Sequence, residues 1–336
     1  MTSRIGRYTI ELKNRPRLLS AAAAVGKKEG NGPLGPSFDL IHEDTTLGET
    51  SWEKAESALL KSAVTTALNK AALTPAEIDC IFAGDLLNQC IGSTYGLREL
   101  NIPLVGLFGA CSTMALSLCM ATIFIENGAA NKAVAATSSH FCSAERQFRM
   151  PLEYGGQRTP TAQWTVTGSG AAVVGVADNG IAVNKLTVGK IVDLGIKDAN
   201  NMGAAMAPAA ADTLTTYFRD TGTMPEDYDL ILTGDLGRTG SALLRELTAQ
   251  EGFILGGNYN DCGLMIFDLN KDDVHAGGSG CGCSGSVLCG FIVKEMVAGR
   301  LKNILFCATG ALMSPTSSKQ GESIPGIAHL LNLSVD

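Results

Sequence analysis

The chain has 336 residues, 45% of them hydrophobic and 18% charged, which is ample material for a large buried core. Its formal net charge of −7, with no run of Lys or Arg, excludes an electrostatic nucleic-acid groove and a polybasic membrane patch. Ten cysteines without framework spacing, most in apolar runs, read as a reduced, intracellular protein.

Residues 1–17 alternate charge with apolar side chains, so no signal peptide is expected. The small apolar run 18–25 predicts a first strand, followed by a Gly/Pro-rich loop over 26–36. Thr50 and Glu53 form a capping box, and Ala55, Leu59, Ala63 and Ala67 then recur at helical spacing, small enough to pack close against a sheet. Residues 74–77 start one helical turn, 78–83 form a buried-type strand ending at Gly84-Asp85, and 103–108 form the next strand. Directly after it, Gly109-Ala110-Cys111-Ser112 turns into a long small-residue helix with its stop signal at Asn127-Gly128. Strands at 133–137 and 168–176 flank a polar excursion over 138–158 that holds His140, Glu145, Arg146 and Arg149. The rest predicts a strand region at 183–194, helices at 209–218, 241–250 and 284–298, and strands at 228–233 and 304–308. The most apolar stretch, 114–125, is too short for a membrane span, so any membrane association is peripheral.

The chain also repeats itself. Ile81-Phe82-Ala83-Gly84-Asp85-Leu86 is echoed 150 residues later by Ile231-Leu232-Thr233-Gly234-Asp235-Leu236. Ala110-Cys111-Ser112 is matched by Gly282-Cys283-Ser284, and the strand ending at Thr137 by one ending at Thr309, both at an offset of 172. Three echoes in the same order mean two halves on one βα plan, set here at 1–180 and 181–336, paired across a pseudo-twofold. Ligands then belong where the halves meet.

Cys111, at the first turn of a long helix, sits among unpaired N–H groups at the positive end of a dipole, an environment that lowers a thiol pKa and favours an anion. It reads as a nucleophile or an anion site, against the alternative of an inert core thiol. Gly280-Cys281-Gly282-Cys283-Ser284-Gly285 fits GxGxxG, but no acidic residue ends the next strand, so the glycines are better explained by close approach of this helix to its mate at Cys111. His275, Cys281 and Cys283 offer only three ligands to a structural zinc, and no metal site is assigned.

A half-repeat with a cysteine at a helix N-terminus resembles the thiolase and ketoacyl-synthase superfamily, which implies a duplicated α/β body of five αβαβα layers. Within it, Gly32-Pro33-Leu34-Gly35, Ala83 to Gln89, Phe108 to Thr113, the block from Ala136 to Arg149, Met206 to Asp212 and Ala276 to Cys281 resemble the stage V sporulation AD family over nearly the whole chain. The resemblance implies binding of dipicolinic acid, pyridine-2,6-dicarboxylate, during its uptake into the developing spore, beside membrane proteins of the same operon. It also implies a homodimer, soluble or peripheral to the spore inner membrane. No cofactor is implied beyond calcium accompanying dipicolinate.

On that reading the pocket is assigned to Asp85, Asn88, Cys111, Ser112, His140, Arg146 and Cys283, with the backbone N–H groups beside Cys111 for one carboxylate and His140 and Arg146 for the other. The alternative is an acyl-transfer or condensing enzyme of the synthase III type with Cys111 as nucleophile. Where that branch carries its His this chain has Gly234-Asp235, and where it carries Asn it has Cys281-Gly282-Cys283, so no catalytic residue is assigned. An ionised acid donates nothing to an oxyanion.

Overall fold

In the computed structural model, residues 3–148 and 158–335 are described. The first half runs β1 (Arg17–Gly26), α1 (Trp52–Lys70), β2 (Cys80–Gly84), β3 (Leu104–Gly106), α2 (Thr113–Glu126), β4 (Lys132–Ser139), α3 (Phe141–Phe148) and β5 (Gly168–Gly175). The second runs β6 (Ile181–Val188), α4 (Met202–Thr221), β7 (Leu230–Thr233), α5 (Gly237–Gln250), β8 (Tyr259–Asp261), α6 (Cys281–Ser286), β9 (Asn303–Ala311) and β10 (Gly326–Ser334). Strand order is β3-β2-β4-β5-β1 in one half and β8-β7-β9-β10-β6 in the other. In both, the first three strands pair in parallel and the last two pairings are antiparallel. The two sets of strands therefore share order and pairing sense, and Asp85 and Asp235 each follow the second strand of their set.

Five layers result. α1 covers the outer face of the first sheet, where its Ala63 and Ala67 let it approach Ala22 and Ala24 of β1. α4 and α5 cover the second sheet, and α2 and α6 lie between the sheets, α2 touching strands of both. Met114, Leu118 and Cys119 of α2 are fully buried with Phe82, Phe306 and Leu331 from the two sheets. α2 is mostly apolar because most of it is buried, with Leu116, Met120, Ile123 and Phe124 forming its one half-exposed face. Ile181 and Ala182 pair with Leu18 and Arg17, joining β6 to β1 along the pseudo-twofold.

Several boundaries differ from the sequence reading for local reasons. The N-cap of α1 is Ser51, whose hydroxyl accepts from the Lys54 N–H, one residue later than the Thr50 box predicts. α4 starts at Met202 and carries Pro208 inside, where the expected helix begins only after the proline. β8 and β10 were not predicted: β8 has three residues, and β10 is a buried run without polar alternation. The glycines of α6 serve close approach, but to a strand as well as to the Cys111 turn. A Cβ at Gly282 would stand 2.3 Å from the Gly168 carbonyl oxygen and one at Gly170 2.2 Å from that of Gly285, while the Ser284 hydroxyl reaches the Cys111 carbonyl at 3.3 Å.

Candidate functional site

Where the halves meet lies a narrow, mostly apolar cleft with a cavity volume of about 40 Å³. Leu86, Phe108, Cys111, Glu145 and Thr165 come to it from the first half, and Met202, Ser279, Gly280 and Met313 from the second. Cys111 forms the floor. It lies in a 3₁₀ turn, Ala110–Ser112, that leads into α2. Ala110 holds φ at +48°, a left-handed conformation that costs a residue with a Cβ and that here lifts the thiol toward the cleft. The turn is pinned from the other half by Gly310, where a Cβ would stand 2.3 Å from the Gly109 carbonyl oxygen.

The expectation of an acidified thiol is not met. Burial, then the charge of Asp235, then Cys281 and the hydrogen bond to Asp235 push the Cys111 thiol well above the ordinary range, and only the Gly280 backbone opposes them. Helix-end stabilisation acts over about one turn and is worth ~0.3–1 kcal/mol, too little against burial beside a carboxylate. Asp235 is fully buried: Oδ2 accepts from the Gly280 N–H at 2.9 Å and Oδ1 from the Thr309 hydroxyl at 2.8 Å. Burial, with Asp261 nearby, pushes its carboxyl up to about 7.

Of the seven residues assigned from sequence, the structure brings only Cys111 to the cleft wall. Asp85 is buried below it and accepts from the Leu87 N–H and from the N–H and hydroxyl of Ser93, which holds the segment after β2. Asn88 is exposed and shares hydrogen bonds with Gln147. The Ser112 hydroxyl is turned back to the Gly109 carbonyl at 2.6 Å. Cys283 is fully buried, its thiol directed to the Gly234 carbonyl.

The two expected cations are engaged elsewhere. His140 is 1% exposed, with Nε2 against the Thr45 carbonyl at 2.8 Å and Nδ1 accepting the Cys142 N–H at 3.2 Å. Both nitrogens are used by a neutral ring, and burial pushes its pKa down. Arg146 points outward from α3 to pair with Glu53 across the Trp52 ring. Arg149 lies outside the described residues. His275 faces Asp273 at 3.1 Å, while the Cys281 thiol donates to the Ser138 carbonyl at 2.9 Å, so the three residues considered for zinc point to separate partners.

Glu145, one of the polar residues of the 138–158 excursion, lines the wall although the sequence assigned it no place in the pocket. It is 6% exposed, accepts from the Thr165 hydroxyl at 3.2 Å and pairs with Arg158 at 3.2 Å. Arg158 stands in turn over the rings of Trp164 and Phe141. The signal available was the amphipathic spacing of 141–148, which puts Ala144, Glu145 and Phe148 on one face of α3.

Comparison with known proteins places this geometry. A family model described as stage V sporulation protein AD matches residues 6–334. The stage V sporulation protein AD of Bacillus subtilis (strain 168) is 48% identical over 310 residues, covering 92% of this chain and 91% of that protein. Among solved structures, 3-oxoacyl-[acyl-carrier-protein] synthase III from Aquifex aeolicus VF5 superposes with a TM-score of 0.57 at 13% identity, covering 95% of this chain and 99% of that one. Cerulenin-bound OleA from Xanthomonas campestris superposes with a TM-score of 0.59 at 14% identity, covering 95% and 96%. These structural likenesses show the fold, which is thiolase-like as the sequence resemblance implied.

Proposed function

Because the chain belongs to the stage V sporulation protein AD family, we propose that it binds dipicolinic acid in the cleft between its halves and acts without turnover in dipicolinate uptake into the developing spore. The carrying observation is the cleft itself: apolar walls that suit a flat aromatic ring, with a floor thiol held protonated. Among the described residues its polar groups are the Thr165 and Ser279 side chains and Glu145, with Arg158 behind Glu145. A dianion against apolar walls carries a heavy desolvation penalty, whereas a neutral calcium chelate does not. Glu145 is the hard oxygen ligand on the wall that suits such a calcium.

Calorimetry with dipicolinate, with and without calcium, tests this reading. Glu145→Gln, which removes the carboxylate offered to the calcium, is expected to weaken calcium-dipicolinate binding about tenfold, or ~1.4 kcal/mol. Arg146→Ala, whose side chain faces solvent and Glu53, is expected to leave affinity within about twofold. Absence of any dipicolinate heat in the parent protein would sink the proposal.

One observation favours the rival acyl-transfer reading: the strained turn at Ala110 presents Cys111 as nucleophilic cysteines are presented. Intact mass after incubation with acyl-CoA decides it. No adduct is expected, and a mass increase abolished by Cys111→Ser would establish the enzyme.

The homodimer is proposed through β3. This edge strand is exposed along its whole length, with Leu104 and Val105 each 37% exposed and Phe108, a cleft residue, 55% exposed beside it. Unpaired apolar edges are templates for a second strand. Light scattering is expected to give a dimer for the parent protein and a monomer for Val105→Asp. Among the described residues no helix is long and apolar enough to cross a membrane, so contact with the membrane proteins of the operon is proposed to be peripheral.

A further inference from the structure

Glu56 of α1 and Asp85 are fully buried carboxyls that meet across Gly92. A Cβ at Gly92 would stand 3.1 Å from the Asp85 carboxyl carbon and 3.3 Å from Glu56 Oε1, so a single methyl group would touch both. Their partners differ in kind. Asp85 takes three donors, the N–H groups of Leu87 and Ser93 and the Ser93 hydroxyl, a set that favours the charged form. Glu56 reaches two serines beside the cleft wall: its Oε1 accepts from the Ser138 hydroxyl at 3.2 Å, and its Oε2 stands 2.6 Å from the Ser143 hydroxyl oxygen in the first turn of α3. The Ser143 hydroxyl is also 3.0 Å from the His140 carbonyl, which accepts the Ala144 N–H at 3.1 Å as α3 begins. A hydroxyl has one hydrogen and a carbonyl only accepts, so Ser143 donates to His140. The hydrogen on the 2.6 Å contact then comes from Glu56.

We infer that Glu56 is a positioning residue of the cleft wall: as a carboxylic acid it donates to Ser143 and accepts from Ser138, and so seats the first turn of α3, the helix that carries Glu145 to the cleft. Ionisation removes the donor and sets two like charges across Gly92. The seat is therefore complete at low pH and lost as pH climbs through the Glu56 value, which burial and then the Asp85 charge push up to about 8. The other titratable groups around it leave this sign unchanged. Glu53, one turn earlier on α1, is engaged by Arg146 of α3 and Glu145 by Arg158, burial keeps the His140 ring neutral, and α6 brings only the Cys281 thiol. Only the consequence for ligand binding rests on the dipicolinate reading. The seat belongs to the protein without ligand, so its failure leaves that reading standing, and absence of dipicolinate binding leaves the seat standing.

Two readouts test it. Carbon-13 NMR of labelled glutamate carboxyls reports titration directly, and Glu29→Gln clears the other buried glutamate that titrates near neutrality. One carboxyl of that protein is expected to titrate near pH 8, and to be missing when Glu56→Gln is added. Trp164, whose ring stacks on Phe141 of α3 at 4.0 Å, reports the seat once Trp52→Phe removes the other of the two tryptophans. Its emission is expected to change with the same midpoint. Glu56→Gln, whose amide donates to Ser143 and accepts from Ser138 at every pH, is expected to hold the low-pH emission throughout. If every glutamate carboxyl of the Glu29→Gln protein titrates in the ordinary carboxylate range, the inference is overturned, whether or not Glu56→Gln folds. It is equally overturned if Trp164 emission in the Trp52→Phe protein stays flat from about pH 6.5 to 9.5, or if adding Glu56→Gln leaves the midpoint in place.

Discussion

Cys111→Trp is expected to abolish dipicolinate binding, a loss on the order of a hundredfold or more in Kd, or ~3 kcal/mol. The indole would rise from the floor of a narrow cleft of about 40 Å³ and occupy the space of a planar ring. Overpacking at a buried position costs ~1–3 kcal/mol, so the melting temperature is expected to fall as well. Met202→Trp therefore accompanies it, since Met202 lines the opposite wall from the first turn of α4 and is half-buried, where added bulk is better tolerated. Cys111→Ala removes little volume and leaves the backbone donors, so its effect is expected to be small. Parental affinity in both Trp variants would place the ligand away from the junction of the halves.

Thermal stability is expected to fall as pH rises from 6 to 8.5, contrary to the usual behaviour of paired carboxylates. Glu29 is fully buried, and burial pushes its carboxyl up to about 7, as it does that of Asp235. Glu56, also buried and facing Asp85, is pushed up in the same direction. A carboxyl raised in the folded state holds its proton where the unfolded chain has lost it. Its contribution is complete below the ordinary carboxylate range and disappears as pH climbs through 7. Glu29 and Asp235 each remove ~1.4 kcal/mol between pH 6 and 7, from 1.36 kcal/mol per pKa unit, and Glu56 acts in the same direction. His329 works the other way: burial pushes it down to about 4, so its contribution is lost as pH falls below the ordinary histidine value. Because that ordinary value, 6.5, lies near the acid end of the interval, His329 offsets less than one carboxyl does. Melting temperatures across the range check the sign, and Glu29→Gln, which keeps the carbonyl that accepts the Thr167 N–H, is expected to flatten the curve. A profile that rises toward pH 8.5 would contradict these assignments.

Much of the fold was legible because it rests on local signals repeated twice. The Gly-Asp after β2 and β7, the small-residue turn before α2 and α6, and the apolar runs of β4 and β9 are properties of short segments, and their order survives duplication. Segment type, topology class and the junction as the place for a ligand follow from them. The candidate side chains were less legible, for a geometric reason. Periodicity places a residue on an element, but which way a loop or helix-terminal side chain turns depends on partners far away in sequence. His140 is claimed by the Thr45 carbonyl, Arg146 by Glu53, and Asn88 by Gln147.

The sequence alone determined that two βα halves pair around Cys111, since chain order and the echoed motifs carry that information without any long-range contact. Only the tertiary structure decided the chemistry of the cysteine. A helix N-terminus by itself predicts an acidic thiol. Burial between two sheets, with Asp235 delivered from the other half, reverses the prediction, because the electrostatics of a buried group follow from what surrounds it in space.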